Sequence, residues 1–284
     1  MQRYQILHRT YYNFSGVVTL EPHTLMLRPR EDHELRIESL SLTITPSATL
    51  LWRRDVEGNS VALATFDTPT DQLLIESKAI VQQYNEDPLE FLVEDYAIHF
   101  PFSYSPDDRI LLSPYLTLPD DRCRRQLDGW TEHFWKPGEA IQTYTILHRM
   151  AAYIFNTLSY RIREAPGLQT PAETLSFGSG SCRDFAALFM QSARCLGLAS
   201  RFVSGYLYAL PSTTDLGATH AWAEVYLPGA GWKGFDPTSG KIVGAEHIAV
   251  AVARLPEAVP PVAGSFVGPP GANLDVGVWV TKES

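Results

Sequence analysis

The chain has 284 residues, 45% of them hydrophobic and 19% charged, with a formal charge of −9. That apolar share can bury a substantial core and excludes a disordered chain. The acidic balance argues against nucleic-acid or membrane-surface binding, since both need a basic face.

No stretch approaches the ~18–20 consecutive apolar residues of a spanning helix. The first ten residues, Met1 to Thr10, alternate polar and apolar instead of forming the continuous apolar core of a secretory signal. The expectation is a cytoplasmic protein with neither nucleic acid nor membrane among its partners. Cys123, Cys182 and Cys195 are an odd, sparse set, and neither a disulfide framework nor a structural-zinc spacing fits them. No metal or cofactor is expected, and one thiol is left open to reactivity.

In chain order, Tyr4, Ile6, His8, Thr10 and Tyr12 alternate at period two. Leu35 to Ile44 does so with a change of phase near Leu40. The polar stretch Arg53 to Asn59 reads as a turn between strands at Leu50–Trp52 and Val61–Phe66, and Leu73 to Val81 is a further strand. Short strands separated by turn chemistry predict a small antiparallel sandwich, assigned as an all-β domain over residues 1–95. Pro101 to Pro119 reads as a loop. Helical spacing then covers Asp120–Phe134 and Glu139–Leu158. Thr170-Pro171-Ala172-Glu173 opens another helix with a capping box. A Gly/Ser loop precedes a helix from about Cys182 to Leu196, stopped by Gly197. Strands are predicted at Arg201–Tyr208, His220–Leu227, Trp232–Phe235, Ile248–Ala253 and Val276–Thr281, with a Pro/Gly-rich arm over Pro256–Gly271. The second domain, residues 96–284, is therefore α+β.

Three stretches carry the chemistry. Gly178 to Phe185 delivers Cys182 to the first turn of an apolar helix. Unpaired amides and the helix dipole favour a thiolate there, and the same amides suit an oxyanion. In the strand His220 to Leu227, His220 stands first, where it can meet a helix start and act as base and then acid. The adjoining strand ends in Asp236-Pro237-Thr238, and a carboxylate on the other imidazole nitrogen fixes the tautomer. A four-residue hairpin loop would put Asp236 on the wrong face. The reading requires an odd-length loop or a bulge, for which Gly234 is a plausible site. Taken singly, each residue also has a bland reading: a half-buried thiol, a solvated histidine, a strand-ending turn.

Residues 170–240 resemble the bacterial transglutaminase-like family in four ordered segments: Gly180–Ala186, Gly197–Tyr206, His220–Tyr226 and Gly231–Thr238. His8–Tyr12, Leu27–Arg30 and Asp55–Asn59 resemble the β-domain that precedes this core in the same bacterial proteins. The resemblance implies a papain-like α+β transglutaminase core behind an all-β N-terminal domain. It also implies Cys182 as nucleophile, His220 as base and Asp236 as orienter. Departures are Arg183 where glutamine is frequent, Ala187 where histidine is frequent, and Ala253-Arg254-Leu255-Pro256 where relatives run on into Gly-Arg-Asp-Tyr.

The expected activity is amide-bond attack through a thioester, as a peptidase or amidase on a peptide or protein substrate. The alternatives are acyl transfer to an amine, a glutamine deamidase, a catalytically silent binding module and, more distantly, a metal-dependent hydrolase. Trp222, Tyr206 and Arg183 are expected to contact substrate. Asp184 is expected to serve the helix dipole, Cys195 to be buried and Cys123 to lie at or near the surface. Trp52, Trp130, Trp135 and Trp279 are expected in the core.

Overall fold

The computed structural model describes residues 1–84, 87–163, 165, 167–208 and 219–283. Six strands open the chain: β1 (Gln2–Leu20), β2 (His23–Leu25), β3 (Leu35–Thr45), β4 (Thr49–Arg54), β5 (Ser60–Thr65) and β6 (Thr70–Gln83). A helical stretch follows with β7 (His99–Phe100), α1 (Pro106–Leu116), α2 (Asp121–Thr131), β8 (Ile141–Gln142), α3 (Thr143–Thr157), β9 (Ser159–Tyr160), α4 (Pro171–Phe177), β10 (Ser179–Gly180) and α5 (Cys182–Cys195). Next come β11 (Ser200–Leu207), β12 (His220–Leu227), β13 (Gly231–Asp236), β14 (Lys241–Ile242) and β15 (His247–Ala253). The chain closes with β16 (Val262–Ala263), β17 (Phe266–Val267) and β18 (Ala272–Glu283). The fold is α+β, and no helix among the described residues is long and apolar enough to cross a membrane.

The period-two pattern of β1 decides the N-terminal architecture. Its even-numbered side chains form one buried face along a strand of 19 residues. Phe14, Val18 and Leu20 pack with Leu25, Ala62 and Ala64 of the sheet β16-β2-β5-β4, which makes a sandwich. Tyr4 and Ile6, earlier on the same face, pack with Tyr206, Ile248 and Val250 of the sheet β14-β13-β12-β11-β15. One strand thus serves two cores.

The larger core lies between α5 and that five-stranded sheet. Phe185, Leu188 and Phe189 of α5 meet Ala221, Ala223, Val225 and Leu227 of β12. Small residues on the sheet face let the helix approach closely, and α5 is buried from Asp184 through Arg194.

Several expectations are corrected. Pro101–Pro119 is not all loop, because α1 occupies Pro106–Leu116. Ser105 Oγ accepts from the Asp108 amide (3.1 Å), and Pro106 sits in the first turn, where no N–H is needed. The closing segment was read with the second half of the chain, yet it returns to the N-terminal sheets. β18 pairs with β1 from Phe14–Ala272 to Arg3–Glu283, β17 pairs with β1, and β16 with β2. Cys123 is buried, because α2 turns it into the main core. Trp52 and Trp279 are each 44% exposed, and Trp279 has the Arg9 guanidinium 5.9 Å from its ring.

The turn between β4 and β5 grips the five-stranded sheet of the second half. Asn59, fully buried, donates to the Val252 carbonyl (2.8 Å) and accepts from the Val252 amide (2.9 Å), as a β-partner would. Its amide also donates to Asp55 Oδ2 (2.8 Å), its oxygen accepts from Arg30 Nη1 (2.6 Å), and the Arg30 amide donates to the Ala249 carbonyl (2.8 Å). Replacing Asn59 by Ala strands two buried backbone groups of β15. A loss of about 2–3 kcal/mol is expected in urea unfolding; a loss below about 0.5 kcal/mol would show that the turn does not clamp the strand.

Candidate active site

Three elements bring their termini together. The start of α5 presents Cys182, the start of β12 presents His220, and the end of β13 presents Asp236. The α5 start is shaped by Asp184, whose side chain turns back. Its Oδ2 accepts from the Ser181 amide (2.8 Å) and hydroxyl (2.7 Å), and its Oδ1 from the Gln169 amide (2.8 Å). Arg163 Nε lies 3.5 Å from Oδ2. The carboxylate is therefore buried, paired and committed to the preceding loop. This close return also explains Gly180: a Cβ there would stand 2.9 Å from Asp184 Cβ. Cys182 and Arg183 carry the first two amides of the helix, for which no carbonyl exists one turn back.

The hairpin that carries His220 and Asp236 has an odd loop. Leu227 pairs with Gly231 and Ala223 with Phe235, leaving Pro228, Gly229 and Ala230 between the strands. Gly229 and Gly231 both take positive φ, 85° and 75°. In this register the next positions, Trp222 and Asp236, stand opposite one another, so Asp236 shares the face of His220. No bulge is needed. Gly234 is in regular register with Glu224, and its missing Cβ makes room for Val243.

His220 Nε2 donates to Asp236 Oδ2 at 3.0 Å, which leaves Nδ1 as the nitrogen toward the sulfur. Burial alone would lower the His220 pKa. Hydrogen bonds to Asp236 and Cys182, together with their charges, outweigh it and raise the group to about 10. Asp236 has no exposed surface, which by itself would favour its neutral form. Hydrogen bonds from His220 and His247 and the charges of both rings hold it well below the ordinary carboxylate range. Its Oδ1 accepts from the Thr238 amide (2.8 Å).

Burial raises the pKa of Cys123 and pushes that of Cys195 up to about 11. Cys195 is itself only partly buried.

The three residues expected to contact substrate are each engaged with other parts of the protein. Tyr206 is 2% exposed, and its hydroxyl bonds His8 Nδ1 (3.0 Å) where β1 crosses the core sheet, so it packs the junction between the two halves. Arg183 Nη2 donates to the carbonyls of Arg163 (3.1 Å) and Ala165 (2.5 Å), which spends it on the preceding segment. Trp222 does share the His220 face, its ring 6.1 Å from the imidazole, but at 1% exposed it shields the pair more than it offers a surface.

Sequence reasoning missed His247, whose Nε2 lies 3.2 Å from Asp236 Oδ2. The signal was present, a histidine heading an apolar strand as His220 does, but Ile248–Ala253 was taken as the strand and its first residue left out. His220, Asp236 and His247 offer donor atoms within 4.8 Å of one another, a nitrogen-rich set of a kind zinc accepts. In the structure those atoms are engaged with each other: both imidazoles meet the same carboxylate oxygen.

Residues 4–82 match the model of the bacterial transglutaminase-like N-terminal region, and residues 138–237 that of the transglutaminase-like superfamily. An uncharacterized protein of Mycobacterium tuberculosis is 29% identical over 299 residues, covering 98% of this chain and 92% of its own. One of Mycobacterium leprae is 26% identical over 290 residues, covering 99% of each. Among solved structures, a protein of Cytophaga hutchinsonii described as a candidate cysteine protease superposes with a TM-score of 0.74 at 19% identity, over 100% of this chain and 91% of that one. The likeness extends through both halves of the fold.

The raised His220 contributes stability that is complete below its ordinary pKa near 6.5 and is lost as pH climbs toward about 10. The depressed Asp236 contributes above its ordinary value near 3.9, and that contribution is lost as pH falls. The unfolding free-energy deficit of Asp236→Asn should therefore peak between about pH 5 and 6.5 and shrink toward pH 10. A deficit that stays flat across urea titrations in this range would show that the pair is not electrostatically coupled.

Proposed function

We propose that this chain, which belongs to the transglutaminase-like superfamily, is a cysteine enzyme that opens amide bonds through Cys182, His220 and Asp236. The observation that carries the reading is the His220–Asp236 hydrogen bond of 3.0 Å in a buried setting, with Cys182 on the same imidazole. The imidazole takes the thiol proton, and the sulfur attacks the amide carbonyl carbon. The tetrahedral oxyanion is received by amides at the α5 start. The imidazolium passes its proton to the departing amine, and a thioester on Cys182 remains. Water, deprotonated by His220, then attacks the thioester, and the acid leaves as the thiol is restored. Asp236 stays ionised throughout and steadies the imidazolium.

Hydrolysis of a peptide or side-chain amide is the favoured outcome, because water needs no dedicated pocket. An amine entering at the second step would give acyl transfer from the same thioester. The reading calls for no metal, so activity should survive strong chelation. Added zinc should inhibit by taking the nitrogen lone pairs of His220 and His247.

Iodoacetamide should alkylate Cys182 at least about tenfold faster than Cys123 or Cys195 near pH 7, read site by site from peptide masses. His220→Ala should slow that alkylation by about 10²-fold. Equal, slow labelling of all three thiols would instead favour a silent binding module. Incorporation of a labelled primary amine into product would replace hydrolysis by transfer.

A further inference from the structure

We infer that His247 is a fourth member of the proposed catalytic group, a positioning residue that holds the Asp236 carboxylate on His220 from the far edge of the sheet. The inference rests on the proposed function and deepens it.

A carboxylate offers about four acceptor positions, and a buried one stays ionised only if donors fill them. Among the described residues the Asp236 carboxylate has three donors: His220 and His247 on Oδ2, and the Thr238 amide on Oδ1. Without His247, Oδ2 would answer to His220 alone. The ring of His247 is itself fixed. Its Nδ1 accepts from the Gly244 amide (3.4 Å), which assigns the proton to Nε2, and it packs edge-on to Trp222 at 5.2 Å.

The topology shows why the residue is placed so. The sheet order β14-β13-β12-β11-β15 puts β14 and β15 at opposite edges, and residues 243–246 connect them. Val243 lies against Gly234 and packs with Trp222 and Val203, so the connection crosses the face that carries His220. His247 is the residue at which this crossing enters β15, paired with Leu207.

His247 also borders a cavity of about 370 Å³ between the N-terminal domain and the sheet. The charged side chains facing that cavity are largely paired across it: Arg201 with Glu224 (2.7 Å) and Lys233 with Glu34 (4.0 Å), while Arg30 is held by Asn59. Asp32 and His33 stand at its rim. Asp236 is the carboxylate that His247 contacts directly.

The test is the pH–rate profile of Cys182 alkylation in the full chain, for wild type, His247→Ala, His247→Phe and His247→Gln. Loss of the donor makes Asp236 easier to protonate. In the Ala and Phe variants the acid limb should move up by about one pH unit, and the rate at pH 7 should fall about tenfold because a carboxylate held on one side only orients His220 less well. Gln, whose amide can donate, should recover most of both. Phe retains the bulk of the ring, so a role in packing alone predicts a wild-type profile for Phe, and that result would overturn the inference. So would a Gln variant no better than Ala. If wild-type Cys182 is fast and His220-dependent while all three variants match it, this inference fails and the proposed function stands. If wild-type Cys182 is no faster than Cys123 and Cys195, both fall together.

Discussion

A carboxylate sealed from solvent is expensive to keep charged, and Asp236 is kept so only because donors converge on it from two strands and a turn. That constraint organises the surrounding structure. It requires a hairpin loop of odd length, so that the acid and His220 share a face. It requires the crossing segment before β15 to lie across the same face. It also requires Trp222 to roof the imidazoles and exclude water, which strengthens the hydrogen bonds beneath it.

The N-terminal domain is tied to this array. It meets the core sheet at β15, through Asn59 on Val252, Arg30 on Ala249 and the apolar contacts of Tyr4 and Ile6 with Ile248 and Val250, and at β11, through the His8–Tyr206 hydrogen bond. His247 heads the same strand. The edge that positions the acid is therefore the edge held by the sandwich. An open edge strand would otherwise fray and offer itself to other chains, and Asn59 covers it by imitating a β-partner at one residue.

Much of this was legible before any coordinates. The strand His220–Leu227 and the helix from Cys182 were found to within a residue or so, because alternation, a capping loop and Gly197 are local signals. The capping box at Thr170 was read correctly for the same reason. Three kinds of feature were not legible. Proline content hid α1, since a proline in the first turn of a helix looks the same in sequence as one in a loop. Burial of Tyr206 and exposure of Trp279 depend on which sheets meet, and strand patterns alone do not say so. His247 was missed because its partner lies eleven residues away across a sheet whose strand order is not chain order.

The pairing of β1 with β18 has a consequence for how the chain is made. From Arg3–Glu283 to Phe14–Ala272, the first strand shares its hydrogen bonds with a strand translated much later, β18. During vectorial synthesis β1 has one of its two long neighbours in β6, while its other margin stays bare until β18 has been made. Contacts so distant in sequence form slowly. The nascent polypeptide therefore carries an unfinished sheet margin until β18 arrives, and that strand acts as a clasp that closes the N-terminal sheet.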